Sequence, residues 1–174
     1  MKIGRLFLRL AIGGLFVGHG TQKLFGWFGG HGLDGTGQFF ESIGIRPGRE
    51  SALAAGLAEA GGGAAIAAGV ATPAAAAALI GTMLTAIRTV HLKNGPWVSN
   101  GGFEYNLVLI AALLSLAEAG PGALALGSDR HGSGWALAAA AAGVAGAAGA
   151  HLAAQAAGEE ATGAADVAGD PASA

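Results

Sequence analysis

The sequence predicts an all-α integral membrane protein, a four-helix bundle with a further helix near its C-terminal end whose crossing of the bilayer stays open. Of the 174 residues, 52% are hydrophobic and 11% are charged, and the mean hydropathy is +0.53. Soluble domains carry roughly 25% charged residues. An alanine-rich soluble bundle, the rival interpretation, would need a charged face on each helix, and no apolar segment has one.

The first apolar segment, residues 6–28, is long enough for the roughly 17 to 25 residues that a bilayer-spanning helix requires. Basic residues precede it, as they precede a secretory signal. A further basic residue inside it, Arg9, and the missing small-residue cleavage site indicate a helix that is retained. We therefore expect the segment to be the first membrane helix.

The connection that follows, residues 29–50, is too long for a tight turn. It contains Thr36 as a candidate N-cap, apolar residues at helical spacing from Phe39 to Ile43, and Gly44 as a stop. This pattern predicts a short helix at the membrane interface. An ordinary capped loop is the alternative that the sequence leaves open.

The second and third apolar segments, residues 51–70 and 73–92, are separated by almost no connecting chain. Thr72 as N-cap and Pro73 as first helical residue are a combination that starts helices well. The two segments must therefore form antiparallel neighbouring helices. A glycine- and proline-rich turn follows them and carries Trp97, which we expect at headgroup level.

The fourth segment, residues 103–119, stops at Gly-Pro-Gly and is followed by an alanine- and glycine-rich run, residues 135–157. Alanine and glycine barely favour hydrocarbon, and His151 and Gln155 oppose it, so the sequence does not decide whether this run spans the bilayer. The acidic end of the chain is predicted to be disordered. The predicted organisation is a bundle over residues 1–122, a linker and candidate fifth helix over 123–157, and a disordered acidic tail over 158–174.

Polar residues concentrate where helices of alternating direction meet on one side of the membrane. That side holds the end of helix one, the start of helix two, the end of helix three and the start of helix four. Glu59 and His19 each lie about eight or nine residues inside their segments, roughly 12 to 13 Å deep, so they can meet. The predicted binding-pocket residues are His19, Gln22, Lys23, Glu59, Arg88, His91, Glu104 and Tyr105.

Charged groups at this depth are costly and normally pair or face a cavity. Lys23 and Arg88 can balance Glu59 and Glu104. Small residues around Glu59 let helices approach closely, which predicts that its carboxylate points into the bundle and contacts helix one. Two interpretations stay open: a functional cavity, centred on Glu59 and His19, or ion pairs that only lock the bundle.

The remaining polar residues carry weaker predictions. His31, His131 and His151 are isolated and are expected to be solvated or interfacial. Arg5 and Arg9 lie at the opposite membrane face with Glu118, where a structural pair is expected. The sequence has no cysteine, so it offers no thiolate ligand; no metal site is predicted, and nothing supports nucleic-acid binding. Basic residues flank both sides, so the positive-inside rule does not orient the chain.

Several motifs resemble those of the DoxX family of small bacterial membrane proteins, over residues 3–122. They are "GHGTQKLFGWFGG" in the first helix, "SIGI" in the connection, "GLAEAGGGAAIAAGVATPAAA" across helices two and three, "AIRTVH" closing helix three, and "GGFEYNLVLIAALLSLAEAGPG" in helix four. With the exception of Arg88, the candidate pocket residues fall on the family's polar motif positions. The sequence departs from the family after Gly-Pro-Gly, where the usual aspartate is delayed to Asp129, so a role for that acid is not carried over.

The resemblance implies a multi-pass protein of the bacterial plasma (inner) membrane, associated with oxidoreductase systems that include thiosulfate:quinone oxidoreductases. Two functions follow as expectations. The first is an accessory or anchoring subunit of a redox complex, with no cofactor of its own and oxidoreductase subunits as partners. The second is a quinone or small-molecule oxidoreductase or carrier that uses the pocket around Glu59. Activity as an enzyme on its own is the less favoured expectation, and homo-oligomerisation stays open.

Overall fold

The computed structural model describes residues 3–127 and 131–168, with side chains as far as residue 159. Over these ranges the chain is helical and contains no strand, which confirms the predicted all-α class. The α-helices in the described ranges are α1 Ile3–Phe25, α2 Gly32–Ser42, α3 Gly48–Ala68, α4 Thr72–Ala86, α5 Glu104–Ala119 and α6 Ser133–Ala168.

Four helical stretches in the described part of the chain are long and apolar enough to cross a bilayer: Ile3–Phe25, Gly48–Ala68, Thr72–Asn94 and Ser133–Glu159. The candidate fifth helix is therefore long enough to span the bilayer, which the sequence alone did not decide. By contrast, α5 has 16 residues, about 24 Å at 1.5 Å per residue, and is shorter than the hydrocarbon core of about 30 Å. Glycine-rich turns at both of its ends limit its length.

The last helix is longer than expected, since α6 has 36 residues and ends at Ala168. It includes residues 158–168, for which the sequence predicts disorder. Alanine has the highest helix propensity of all residues, and its abundance in this region favours the continued helix over a coil. Residues 169–174 and Asp129 lie outside the described residues, and the division of the chain at residues 122 and 157 stays a prediction.

The expected short helix between the first two spans is present as α2, so the alternative of an ordinary loop is wrong. The assignment of Thr36 as its N-cap is also wrong, because the helix begins four residues earlier, at Gly32, with His31 at the cap position. Thr36 lies inside the helix and is buried. The helix ends at Ser42, and Gly44 takes a positive φ of 82° just beyond it, as a glycine after a helix end commonly does.

The turn between α3 and α4 makes them packed neighbours, as predicted. Gly69 and Ala71 both have positive φ angles, 71° and 48°, and together reverse the chain within three residues. Thr72 is the first residue of α4 and not its N-cap, which is Ala71. The sequence pattern placed the cap one residue late, although Pro73 does occupy the first turn of α4.

Close contact between α1 and α3 is made possible by glycine. A Cβ atom built on Gly20 would lie 2.4 Å from the backbone nitrogen of Ala60, and one on Gly13 would lie 2.5 Å from the carbonyl oxygen of Gly63. Small residues at a helix interface let two membrane backbones approach. This crossing fixes the register of α1 against α3, and therefore decides which side chains of the two helices meet.

At the end of the bundle that holds the start of α1, two arginines bind the loop that follows α5. Arg5 donates to the carbonyl oxygens of Ala119 and Gly120, and Arg9 donates through Nη2 to those of Ala123 and Leu124, at 2.8 and 2.7 Å. The expected pairing of these arginines with the carboxylate of the last turn of α5 is wrong. Ser133 donates to that carboxylate, Glu118, at 2.7 Å.

Candidate functional site

The polar centre of the bundle is an ion pair between α1 and α3. The Lys23 ammonium donates to Glu59 Oε2 at 2.6 Å, and the exposed fractions of the two side chains are 24% and 5%. Glu59 lies between Gly56, which has no side chain, and Ala60, which has only a methyl group, and these small residues let α1 approach α3 closely. The predicted contact of Glu59 with helix one is confirmed, and its carboxylate points into the bundle as expected.

His19, expected as the deep partner of Glu59, forms a different contact. Its Nδ1 donates to Gln22 Oε1 at 3.1 Å, one helical turn further along α1, and the amide of Gln22 donates to the carbonyl oxygen of Phe28 at 3.3 Å. His19, Gln22 and Lys23 were the candidate contacts of Glu59 on helix one, and the structure shows Lys23, which has the longest side chain of the three, in that position. With Nδ1 protonated, a neutral His19 ring keeps Nε2 as a hydrogen-bond acceptor.

The end of α4 changes from an α-helix into a π-helical turn over Ile87–His91. Such turns are rare and occur frequently at functional sites, and this one carries both polar candidates of helix three. His91 Nδ1 donates to the carbonyl oxygen of Gly101 at 2.7 Å, which ties the turn to the connection before α5. The side chain of Arg88 forms no hydrogen bond or ion pair within the described part of the chain.

The two candidates on α5 have different surroundings. Glu104 accepts a hydrogen bond from the backbone N–H of Val98 at 2.7 Å and so caps the short turn before its helix. The expected charge balance of Arg88 by Glu104 is therefore wrong, because the carboxylate binds the backbone beside it. Tyr105, the next residue, is 40% exposed and faces the interior space of the bundle.

That space is a cavity of about 980 Å³, which we call the central cavity. All six helices and the α2–α3 connection contribute to its walls, and most of the lining is alanine, glycine and other apolar residues. The larger apolar side chains of the lining include Phe39, Phe40, Ile43, Met83 and Leu109. The charged and titratable lining residues are His19, Lys23, Arg46, Glu50, Glu59, Arg88, His91, Tyr105 and His151.

The structure thus brings six of the eight candidate residues to one cavity and leaves Gln22 and Glu104 outside its lining. It also adds residues that sequence reasoning missed. Asn106, buried on α5, donates to the sulfur of Met83 at 3.4 Å. The position of an asparagine inside an apolar helix could have identified it from the sequence. His151, expected to be isolated, lines the cavity because α6 packs along α4.

The arrangement combines a mainly apolar space with a few polar groups that can orient a bound molecule, as small-molecule sites in proteins do. Lys23 has three N–H donors, of which Glu59 accepts one, so donors remain for an oxygen atom of a ligand. His91 is fixed with Nδ1 as donor, and a neutral ring keeps Nε2 as acceptor. No group of three or more His, Cys, Asp or Glu residues suited to a metal ion occurs within the described ranges.

The long apolar helices of this chain surround a polar site, and this combination is typical of multi-pass helical membrane proteins. The profile of the DoxX family matches residues 4–92, just over half of the chain. The chain belongs to the DoxX family. It is similar to a protein of Bacillus subtilis (strain 168) named "Putative oxidoreductase CatD", with 37% identity over 115 residues that cover 66% of this chain and 79% of that protein. No solved structure matches it significantly.

Proposed function

We propose that this DoxX-family protein binds a lipid-soluble compound of the quinone type in the central cavity and serves a membrane-associated redox system. The observation that carries the proposal is the cavity itself, about 980 Å³ of mainly apolar space beside the Lys23–Glu59 pair. Ligand sites for single small molecules have volumes of roughly 300 to 1,000 Å³. The name of the Bacillus subtilis relative, which describes it as an oxidoreductase, supports the redox assignment.

The polar groups of the cavity suit a carbonyl compound. Conversion of a quinone into a quinol takes up two electrons and two protons, one proton at each oxygen. The Lys23 ammonium donates a hydrogen bond to a ligand oxygen. The Glu59 carboxylate accepts a proton when a quinol is oxidised, and the carboxylic acid so formed returns that proton when a quinone is reduced. His91 and Tyr105 line the same space, and both side chains can exchange a proton with a bound compound.

The electrons must come from another chain or from a bound cofactor, because this sequence has no cysteine to hold an iron–sulfur cluster. This observation favours a second candidate function, an accessory or anchoring subunit of an oxidoreductase in the bacterial plasma membrane. The outward face of α6 exposes Leu137, Val144 and Leu152 at 71%, 57% and 64%, and such a face contacts lipid or a partner helix. Purification in gentle detergent followed by mass spectrometry of the retained proteins tests this role.

Ligand stabilisation tests the cavity directly. Decylubiquinone, added to the purified protein in nanodiscs, is expected to raise the unfolding temperature in a concentration-dependent manner, because a ligand that binds only the folded state stabilises it. Ala58→Phe places a ring in the cavity, whereas Leu57→Phe adds a ring on the exposed face of the same helix. The stabilisation should vanish in Ala58→Phe and persist in Leu57→Phe. Equal responses of both variants would refute binding in the cavity.

A further inference from the structure

The charges that line the central cavity are unbalanced. Glu59 accepts a hydrogen bond from Lys23, so these two groups neutralise each other. Arg46 and Arg88 also line the cavity, and neither guanidinium group forms a hydrogen bond or an ion pair with any described residue. Glu50 is the remaining carboxylate of the lining and pairs with neither arginine. The described lining therefore carries one excess positive charge.

The position of Arg88 makes this excess significant. It lies in the π-helical turn, six residues before Asn94 ends the membrane-spanning stretch, or about 9 Å inside it. An arginine at such a depth is costly unless it meets an anion, a carbonyl or water. The carboxylate that could have paired with it from α5, Glu104, accepts a hydrogen bond from the backbone of Val98 and forms no ion pair with Arg88. Arg88 lines the central cavity, where such a partner could bind.

Next to the arginines, the cavity wall is apolar. The α2–α3 connection that carries Arg46 also contributes Ile43 and Ile45, and Phe39 and Phe40 precede it on α2. On the other wall, α4 and α6 contribute mostly alanine and glycine, which leave room for a long or flat apolar body. Two guanidinium groups beside an apolar space match a molecule with an acid group at one end.

We propose that the central cavity also accepts a second class of lipid-soluble compound, an amphiphile with a single apolar body and a carboxylate, and that Arg88 and Arg46 bind the carboxylate. The inference rests on one part of the proposed function, namely that this cavity holds a lipid-soluble compound. A planar guanidinium forms two parallel N–H···O bonds with a carboxylate, which a lysine cannot do. A volume of about 980 Å³ suits one small ligand, and so one apolar chain, better than a two-chain phospholipid.

The test compares an acid with its neutral ester. Dodecanoate and methyl dodecanoate are added separately to the detergent-purified protein, and native mass spectrometry measures the fraction of protein that retains each. Wild-type protein should retain dodecanoate with at least tenfold higher affinity than the ester, since a charge-assisted hydrogen bond contributes about 1.5 to 3 kcal/mol and about 1.4 kcal/mol is tenfold. Arg88→Gln should abolish this preference, and Arg46→Gln should reduce it.

A matched control is available three residues from Arg46. Arg49 is ion-paired with Asp34 on the protein surface at 2.9 Å and does not line the cavity, so Arg49→Gln should keep the preference for the acid. If wild-type protein and Arg88→Gln retain acid and ester equally, the carboxylate assignment is wrong. Stabilisation by decylubiquinone would then show that the proposed function survives without it. Retention of phosphatidylglycerol in place of dodecanoate would also overturn the assignment.

Discussion

Removal of one partner from the Lys23–Glu59 pair should destabilise the bundle, and more strongly when Lys23 is the residue removed. The Glu59 side chain is 5% exposed and that of Lys23 is 24% exposed. Loss of one member of a buried pair costs about 3 to 5 kcal/mol, because the other charge stays buried without compensation. For Lys23→Met we expect about 3 kcal/mol, the lower end of that range, because the pair is partly accessible. For Glu59→Met we expect about 2 kcal/mol, because the ammonium that remains is the more accessible group.

The double variant Lys23→Met, Glu59→Met separates the ion pair from simple packing. With both charges replaced by apolar groups of similar length, most of the loss should be recovered, since an apolar replacement of a buried pair is often close to neutral. The coupling energy from the double-mutant cycle should therefore be about 2 kcal/mol or more. Reversible unfolding in mixed micelles, followed by circular dichroism during titration with sodium dodecyl sulfate, measures all four proteins.

The surface pair provides the control for this experiment. The side chains of Arg49 and Asp34 are 63% and 79% exposed, so Arg49→Gln should change the free energy of unfolding by less than about 0.5 kcal/mol. If Lys23→Met behaves like Arg49→Gln, or if the effects of the two single substitutions simply add in the double variant, the pair is not buried and coupled as the structure has it.

Three further predictions concern the fold. Gly20→Ala should destabilise the α1–α3 crossing by about 1 to 3 kcal/mol through overpacking. Gly18→Ala should be neutral or stabilising, because nothing lies within 4 Å of its new Cβ atom. Thermal unfolding of the two variants distinguishes these outcomes. Arg9→Lys should increase proteolysis of the loop after α5 at least tenfold, because Arg9 donates to two carbonyl oxygens there; unchanged cleavage would contradict that role. The chain has no cysteine, so Ser42→Cys and Ser133→Cys can be labelled singly, and we expect an impermeant maleimide to reach them from opposite sides of the membrane.

The helical fold was predictable because apolar length, glycine and proline carry most of the information about membrane helices. The helix starts were less predictable. Thr36 and Thr72 look like caps in the sequence, yet tertiary packing buries Thr36 within α2 and the reversal at Ala71 starts α4 one residue earlier than expected. A side-chain cap is one contribution of about 1 kcal/mol, and the packing of a whole helix outweighs it.

The location of the candidate site was also predictable, but the pairing of its residues was not. Because helix direction alternates along the chain, His19, Lys23 and Glu59 lie on the same side of the membrane whichever way the protein inserts. Which of the two α1 residues would contact Glu59 depended on side-chain length and on the glycine-mediated register of α1 against α3, and neither follows from spacing. The contribution of His151 depended on α6 packing against α4, a contact that the composition of α6 does not specify.

The central claim, that the cavity between the six helices holds a small lipid-soluble compound, is tested most directly by what the protein carries out of its own membrane. Protein is extracted in gentle detergent and analysed by native mass spectrometry, which identifies and counts the small molecules that it retains. The structure predicts about one retained compound per chain in wild-type protein and in Leu57→Phe, and its loss in folded Ala58→Phe. Wild-type protein that carries no such compound, or an equal yield from Ala58→Phe, would contradict the claim.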